Sequence, residues 1–262
     1  MPLFLYLDRN TFVHRRHPLV KVLSLLLFFV SAFVMEHPVF ILPLSLSIGA
    51  LIVWSRSLPT LYRLRILFVF IGVFSVLIWS VFYGRGAPIA ALAFLPITQE
   101  GVLYGFGMAA KLSTFLATGA LFLSTTRIEE FAYAFTLLGL PYRVSFTLTL
   151  AFRLVPLFLE SALTVVQAQR CRGLDVHRGP LLQRLRHYVF VLIPVFMGAL
   201  RRADHMAIAL EVRGFNSGRP RSSFQRAPWR MSDIFTLLVV IGVTLLYLGL
   251  WRAGYGRIVV PG

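Results

Sequence analysis

The residues best placed to do chemistry are two arginines that recur in one pattern. Ala168-Gln169-Arg170-Cys171-Arg172-Gly173 and, 41 residues on, Ala209-Leu210-Glu211-Val212-Arg213-Gly214 each read Ala, three residues, then Arg-Gly. Positions four apart share a helix face, and a glycine past the last turn takes the left-handed conformation cheaply. The pattern therefore predicts two helix tips, each projecting one arginine. One such tip is ordinary capping, because arginine in a last turn complements the helix dipole. Two copies, both on long helices, make capping alone a weaker account. A proline in an apolar frame lies upstream of each copy, Pro156 and Pro194, at 16 and 19 residues from its arginine. The repeat is real but loose.

Other chemistry is sparse. Neither lysine follows a glycine, so the G-K-[ST] phosphate loop is absent, and no H-E-x-x-H or G-x-S-x-G occurs. The 10 acids are scattered singly apart from Glu129-Glu130, which leaves no material for a catalytic constellation or cofactor site. The chain reads as a non-enzyme. His14 and His17 could in principle share a metal, but their arginine neighbours favour a basic juxtamembrane segment. The single cysteine, Cys171, excludes an intramolecular disulfide. Lys111 falls inside an apolar run, where a cation needs a partner; a charge satisfied against another helix is the favoured reading, a transport pathway the alternative.

The elements that must carry these residues follow from composition. The chain is 58% hydrophobic and 14% charged, with a mean hydropathy of +0.78, too apolar for a soluble domain. Apolar runs at about 19–35, 38–54, 66–83, 101–123 and 232–251 predict about five transmembrane helices. A shorter apolar piece, 87–96, ends at Pro96 and reads as re-entrant or surface. Basic residues number four through Lys21, none in the 36–38 turn, three in 55–65 and one in 84–100, which predicts a cytoplasmic N-terminus. Segments 144–166 and 187–200 are apolar too, yet a span through each would export Arg170, Arg172, Arg178, Arg184 and Arg186. Both are therefore read as cytoplasmic.

Three regions result: 1–124, a membrane region of about four spans; 125–231, cytoplasmic; and 232–262, the last span with a short tail. In the middle region Thr126 and Glu129 match a capping box, opening a short helix 127–138 with Ile128, Phe131, Ala132, Phe135 and Leu138 on one face. Long helices follow, 142–172 closed by Gly173 and one from about Pro180 to Arg213 closed by Gly214. Gly198, Ala199, Ala203, Ala207 and Ala209 would let the second long helix cross a neighbour closely. The arginines of 216–231 face lipid headgroups, and nothing resembles an exposed basic surface for nucleic acid.

Taken together, the Arg9–Lys21 stretch with His17-Pro18, the Thr125-Thr126 step, Leu140-Pro141 and the two Arg-Gly ends resemble the transmembrane T component (CbiQ/EcfT family) of energy-coupling-factor transporters, across essentially the whole chain. Where family members often carry alanine directly before Arg-Gly, this chain has Cys171 and Val212. The resemblance implies an all-α integral protein of the prokaryotic inner membrane with one short and two long cytoplasmic coupling helices. Its implied partners are two ABC ATPase subunits, homo- or heterodimeric, and a small substrate-binding membrane S component, together importing a vitamin or cobalt/nickel ions. Ala168, Arg172, Gly173, Ala209, Arg213 and Gly214 would dock the ATPases, and Ile128, Phe131, Phe135 and Leu138 would couple to the S component. A stand-alone carrier would show polar membrane sites in repeated halves, and a conventional ABC permease a different cytoplasmic loop signature.

Overall fold

The computed structural model describes residues 9, 11–35, 37–82, 88–92, 95–174, 180–215 and 228–255. Eight helices run in the order α1 (Pro18–Val34), α2 (Pro38–Trp54), α3 (Leu58–Phe82), α4 (Gln99–Thr125), α5 (Ile128–Leu137), α6 (Tyr142–Cys171), α7 (Leu181–Val212) and α8 (Met231–Arg252). Between α3 and α4 lie β1 (Pro88–Leu92) and β2 (Leu95–Thr98). The fold is that of an all-α membrane protein with this one small addition. The piece expected to be re-entrant or surface is an antiparallel hairpin, pairing Leu92 with Leu95 and Ala91 with Pro96. Pro88 and Pro96 account for it, since each removes a helical donor and pushes the residue before it into extended geometry.

The chain divides into two compact units, Met1–Leu140 with Ala227–Gly262, and Pro141–Arg226. The division falls after α5 rather than before it, so the short helix belongs with the membrane helices.

In the first unit α2 is the central packing element. Ile41, Leu44, Ile48 and Ile52 recur at helical spacing and are at most 1% exposed. With Ala32, Met35, Leu121 and Tyr247 they form the core. α1 and α2 start alike: His17-Pro18 and His37-Pro38 place proline in the first turn, and each imidazole Nδ1 accepts the N–H of the residue after it, Leu19 at 3.2 Å and Val39 at 3.3 Å. α4 meets α3 closely at Gly105, where a Cβ would stand 3.0 Å from the Val76 Cα. Hydroxyls tie helices together. Ser31 Oγ donates to Thr244 Oγ1 (3.1 Å), Tyr247 to the Phe40 carbonyl (3.0 Å), and Ser124 to Ser57 (2.9 Å). In hydrocarbon such bonds are worth about 0.6–2 kcal/mol each.

α3, α4, α6 and α8 are long and apolar enough to cross a membrane; α1 and α2 are shorter apolar helices of 17 residues, about 25 Å each. α6 thus satisfies on length and composition a criterion that the charge argument had set aside.

The second unit holds α6 and α7. Gln169 Nε2 donates to the Phe190 carbonyl (3.5 Å), Met206 lines one groove with Leu150, Arg153 and Leu157, and Phe215 packs on Phe146 and Tyr142 with ring centres 4.7 and 6.3 Å apart. Late α6 therefore lies by early α7, and the end of α7 by the start of α6: the two helices run antiparallel. Gly198 has nothing within 4 Å of its would-be Cβ, so the close crossing expected from the small residues is not made there.

Candidate docking site

The two arginine patterns form identical helix ends. At α6, Arg172 is the C-cap and Gly173 has φ +85°. The Gly173 N–H donates to the Arg170 carbonyl (2.9 Å) and the Leu174 N–H to the Gln169 carbonyl (3.0 Å). At α7, Arg213 is the C-cap and Gly214 has φ +72°, with Gly214 N–H to Glu211 (2.8 Å) and Phe215 N–H to Leu210 (2.9 Å). Both are Schellman motifs, in which a residue in the left-handed region satisfies the last carbonyls. The alanine one turn back is bonded to its arginine in each: Arg172 N–H to Ala168 O at 3.3 Å, and Arg213 N–H to Ala209 O at 3.2 Å.

The backbone groups near each tip are thereby engaged while the side chains are left open. Ala168, Arg172, Gly173, Ala209 and Arg213 are exposed and Gly214 half-exposed. Neither the Arg172 nor the Arg213 guanidinium has a hydrogen bond or ion pair among the described residues. Because α6 and α7 are antiparallel, the tips sit at opposite ends of the pair. With 30 residues in α6, that is a separation of roughly 45 Å. Two cations at that distance, each one turn from an alanine, cannot converge on one small ligand.

The apolar stripe of α5 is split. Phe131 packs edge-on against Phe122 of α4 (5.6 Å) and Phe135 (4.7 Å), and Ile128, Phe131 and Phe135 are half-buried while Leu138 is 47% exposed. The capping box expected at Thr126 and Glu129 is not formed. Arg127 is the N-cap, with no side-chain cap bond. The Thr126 N–H still bonds to Phe122 O at 2.9 Å as a continuation of α4, and its hydroxyl is buried without a partner. The helix consequently starts one residue later than the motif requires.

Lys111 donates to the Phe33 carbonyl at 2.7 Å, its ammonium 5.0 Å from the Phe33 ring centre. It closes the end of α1, in agreement with a charge satisfied against another helix. His17 caps α1 and stacks on Trp229 at 4.3 Å, and His14 meets the Thr11 hydroxyl at 2.7 Å.

Two ionic contacts escaped sequence reasoning. Arg16 pairs with Asp233 of α8 at 3.3 Å and lies 3.4 Å over the Phe12 ring. Asp233, 1% exposed, also accepts from the N–H of His17 (3.3 Å) and of Arg230 (3.0 Å). Lys21 pairs with Glu130 of α5 at 2.8 Å and donates to the Thr125 carbonyl at 2.9 Å. The signal the sequence carries for the second contact is Lys21 itself, a cation entering an apolar helix.

Fold and tips together define a multi-pass membrane protein that presents two matched arginine ends. Residues 9–224 match the family model of CbiQ, described as cobalt transport protein, and the chain belongs to that family. Curated relatives named energy-coupling factor transporter transmembrane protein EcfT include those of Streptococcus thermophilus, 26% identical over 93% of this chain and 96% of the relative, and Exiguobacterium sibiricum, 30% identical over 77% and 80%. The Thermotoga maritima protein of the same name is 28% identical over 98% of this chain and 94% of its own length. The chain is thus an energy-coupling-factor transporter membrane component.

Proposed function

We propose that this chain is the coupling subunit of an ATP-driven importer, joining two cytoplasmic ATPase subunits to a substrate-binding membrane S component. The observation that carries the reading is the pair of identical helix ends, each with an exposed arginine unengaged among the described residues, at opposite ends of one antiparallel pair. Arg172 and Arg213 enter a groove on one ATPase each, with Ala168 and Ala209 permitting close approach. ATP binding draws the ATPases together, the tips shift, and the stiff helices carry that shift to the S component. Ile128, Phe131, Phe135 and Leu138 of α5 contribute to that coupling. The N-terminus and the α5–α7 region lie on the cytoplasmic side, where the arginine excess is favourable. Substrate choice, a vitamin or cobalt/nickel ions, resides in the S component.

The test is co-expression with the ATPase and S components of an energy-coupling-factor transporter. The double variant Arg172→Glu, Arg213→Glu should lose co-purification of the ATPases and all uptake, each arginine contributing about 2–5 kcal/mol to a desolvated charge contact. Retained assembly and uptake would sink the docking claim.

A further inference from the structure

Lys21 is the fourth residue of α1 and 7% exposed. Its ammonium group touches the last residue of α4 through the Thr125 carbonyl and the first turn of α5 through Glu130. One cation therefore joins three helices at a single point. Only the lysine side of this pair is buried, and Glu130 is half-exposed; desolvating the ammonium offsets much of the attraction, so the pair does more to fix a register than to add stability. The local chemistry leaves α5 in need of such a device. The Thr126 hydroxyl just before this helix is buried with no hydrogen-bond partner among the described residues, and the helix's ring contact to α4 is the edge-on pair of Phe131 and Phe122.

We infer that Lys21 and Glu130 are positioning residues of energy coupling: they lock α5 to the membrane helices, so that α5 holds its register while α6 and α7 are moved. The inference rests on the proposed function and deepens it. Lys21 itself is seated by its neighbours, because Arg16 and His17 are held to Asp233 of α8 just before α1 begins. α5 belongs by its contacts to the same compact unit as α1 and α4. With Glu130 neutralised, the ATPases still bind the tips and still hydrolyse ATP, but α5 yields to the motion and transmits less of it.

The decisive measurement is made in proteoliposomes holding the whole complex, with ATP hydrolysis and uptake read together. Glu130→Gln should assemble normally and hydrolyse ATP within about twofold of the parent, while uptake per ATP falls roughly tenfold, a loss of coupling of the usual size. Glu130→Asp should recover part of it. The double variant Lys21→Met, Glu130→Leu supplies packing without a charge pair, and it should assemble yet stay uncoupled. Hydrolysis and uptake falling in parallel, or uptake restored by the apolar double variant, would overturn the inference. Hydrogen exchange on the full chain alone in detergent gives an answer that does not depend on any partner. Glu130→Gln should speed exchange in α5 by about tenfold and leave α6 and α7 unchanged; unchanged α5 exchange would also overturn it. Failure of the parent chain to bind ATPases would instead count against the proposed function, with the exchange result still deciding the role of the pair.

Discussion

The two compact units solve the problem of polar groups in opposite ways. In the first, charges and hydroxyls are turned inward and paired: Arg16 with Asp233, Lys21 with Glu130, Lys111 with a helix-end carbonyl, Ser31 with Thr244. In the second, α6 and α7 bury almost nothing. Among their described residues only Ser145 and Val191 are buried, while Leu192, Phe196 and Val212 are 64%, 59% and 83% exposed. A unit of two helices with both charge and apolar surface turned outward has its stabilising contacts still to make. The contrast separates a unit that pairs most of its inward polar groups from one whose side chains face outward.

The contrast breaks or sharpens under substitution. The largest effect should come from Asp233→Leu, which strands Arg16 and two backbone N–H groups at a buried site and should cost about 3–5 kcal/mol of stability. Thermal unfolding of the chain in detergent reads it, and Glu211→Leu, exposed on α7, is the control that should change almost nothing. Next comes Gly105→Val, whose Cβ would overlap the Val76 backbone and should cost about 1–3 kcal/mol. Gly198→Val, with open space around it, should be neutral or slightly stabilising. An equal loss at both glycines would erase the distinction between the units. Lys111→Met should lower stability by about 1–2 kcal/mol through the lost bond to Phe33 and leave uptake intact; unchanged assembly with abolished uptake would make Lys111 part of a transport path.

The smallest effect concerns a helix end. Arg56 follows α2 at φ +55°, the single non-glycine with positive φ among the described residues, in the same Schellman geometry as the ends at Gly173 and Gly214. Since a side chain in the left-handed region costs about 1 kcal/mol, Arg56→Gly should raise stability by several tenths of that. Its carbonyl would still accept from Arg9, at 2.6 Å in the parent. A fall in stability would mean that the Arg56 side chain matters in its own right.

These positions also show why some features could be read from sequence and others could not. The ends at Gly173 and Gly214 were legible because glycine is the cheap residue for that conformation. The end at Arg56 was invisible because arginine is not. The lengths of α6 and α7 followed from the distance between a proline or turn and a glycine, both local signals. The Thr126 capping box failed because α4 ran one residue further and drew the threonine inward. The ion pairs were out of reach, joining residues 217 and 109 positions apart, for which spacing gives no hint. Sequence likewise grouped α5 with the long helices by polarity, whereas contacts group it with α1 and α4.

The antiparallel pairing of α6 and α7 has a geometric consequence. Two helices of nearly equal length, 30 and 32 residues, capped alike and laid head to tail, put matching tips at opposite ends of the pair. A single chain without internal symmetry thereby displays the same plug twice, rotated by half a turn. Under the proposed function, such a surface would suit a two-fold symmetric dimer, each half of which would meet one plug in the same orientation. One asymmetric subunit can thus seat a symmetric pair without requiring two different sockets.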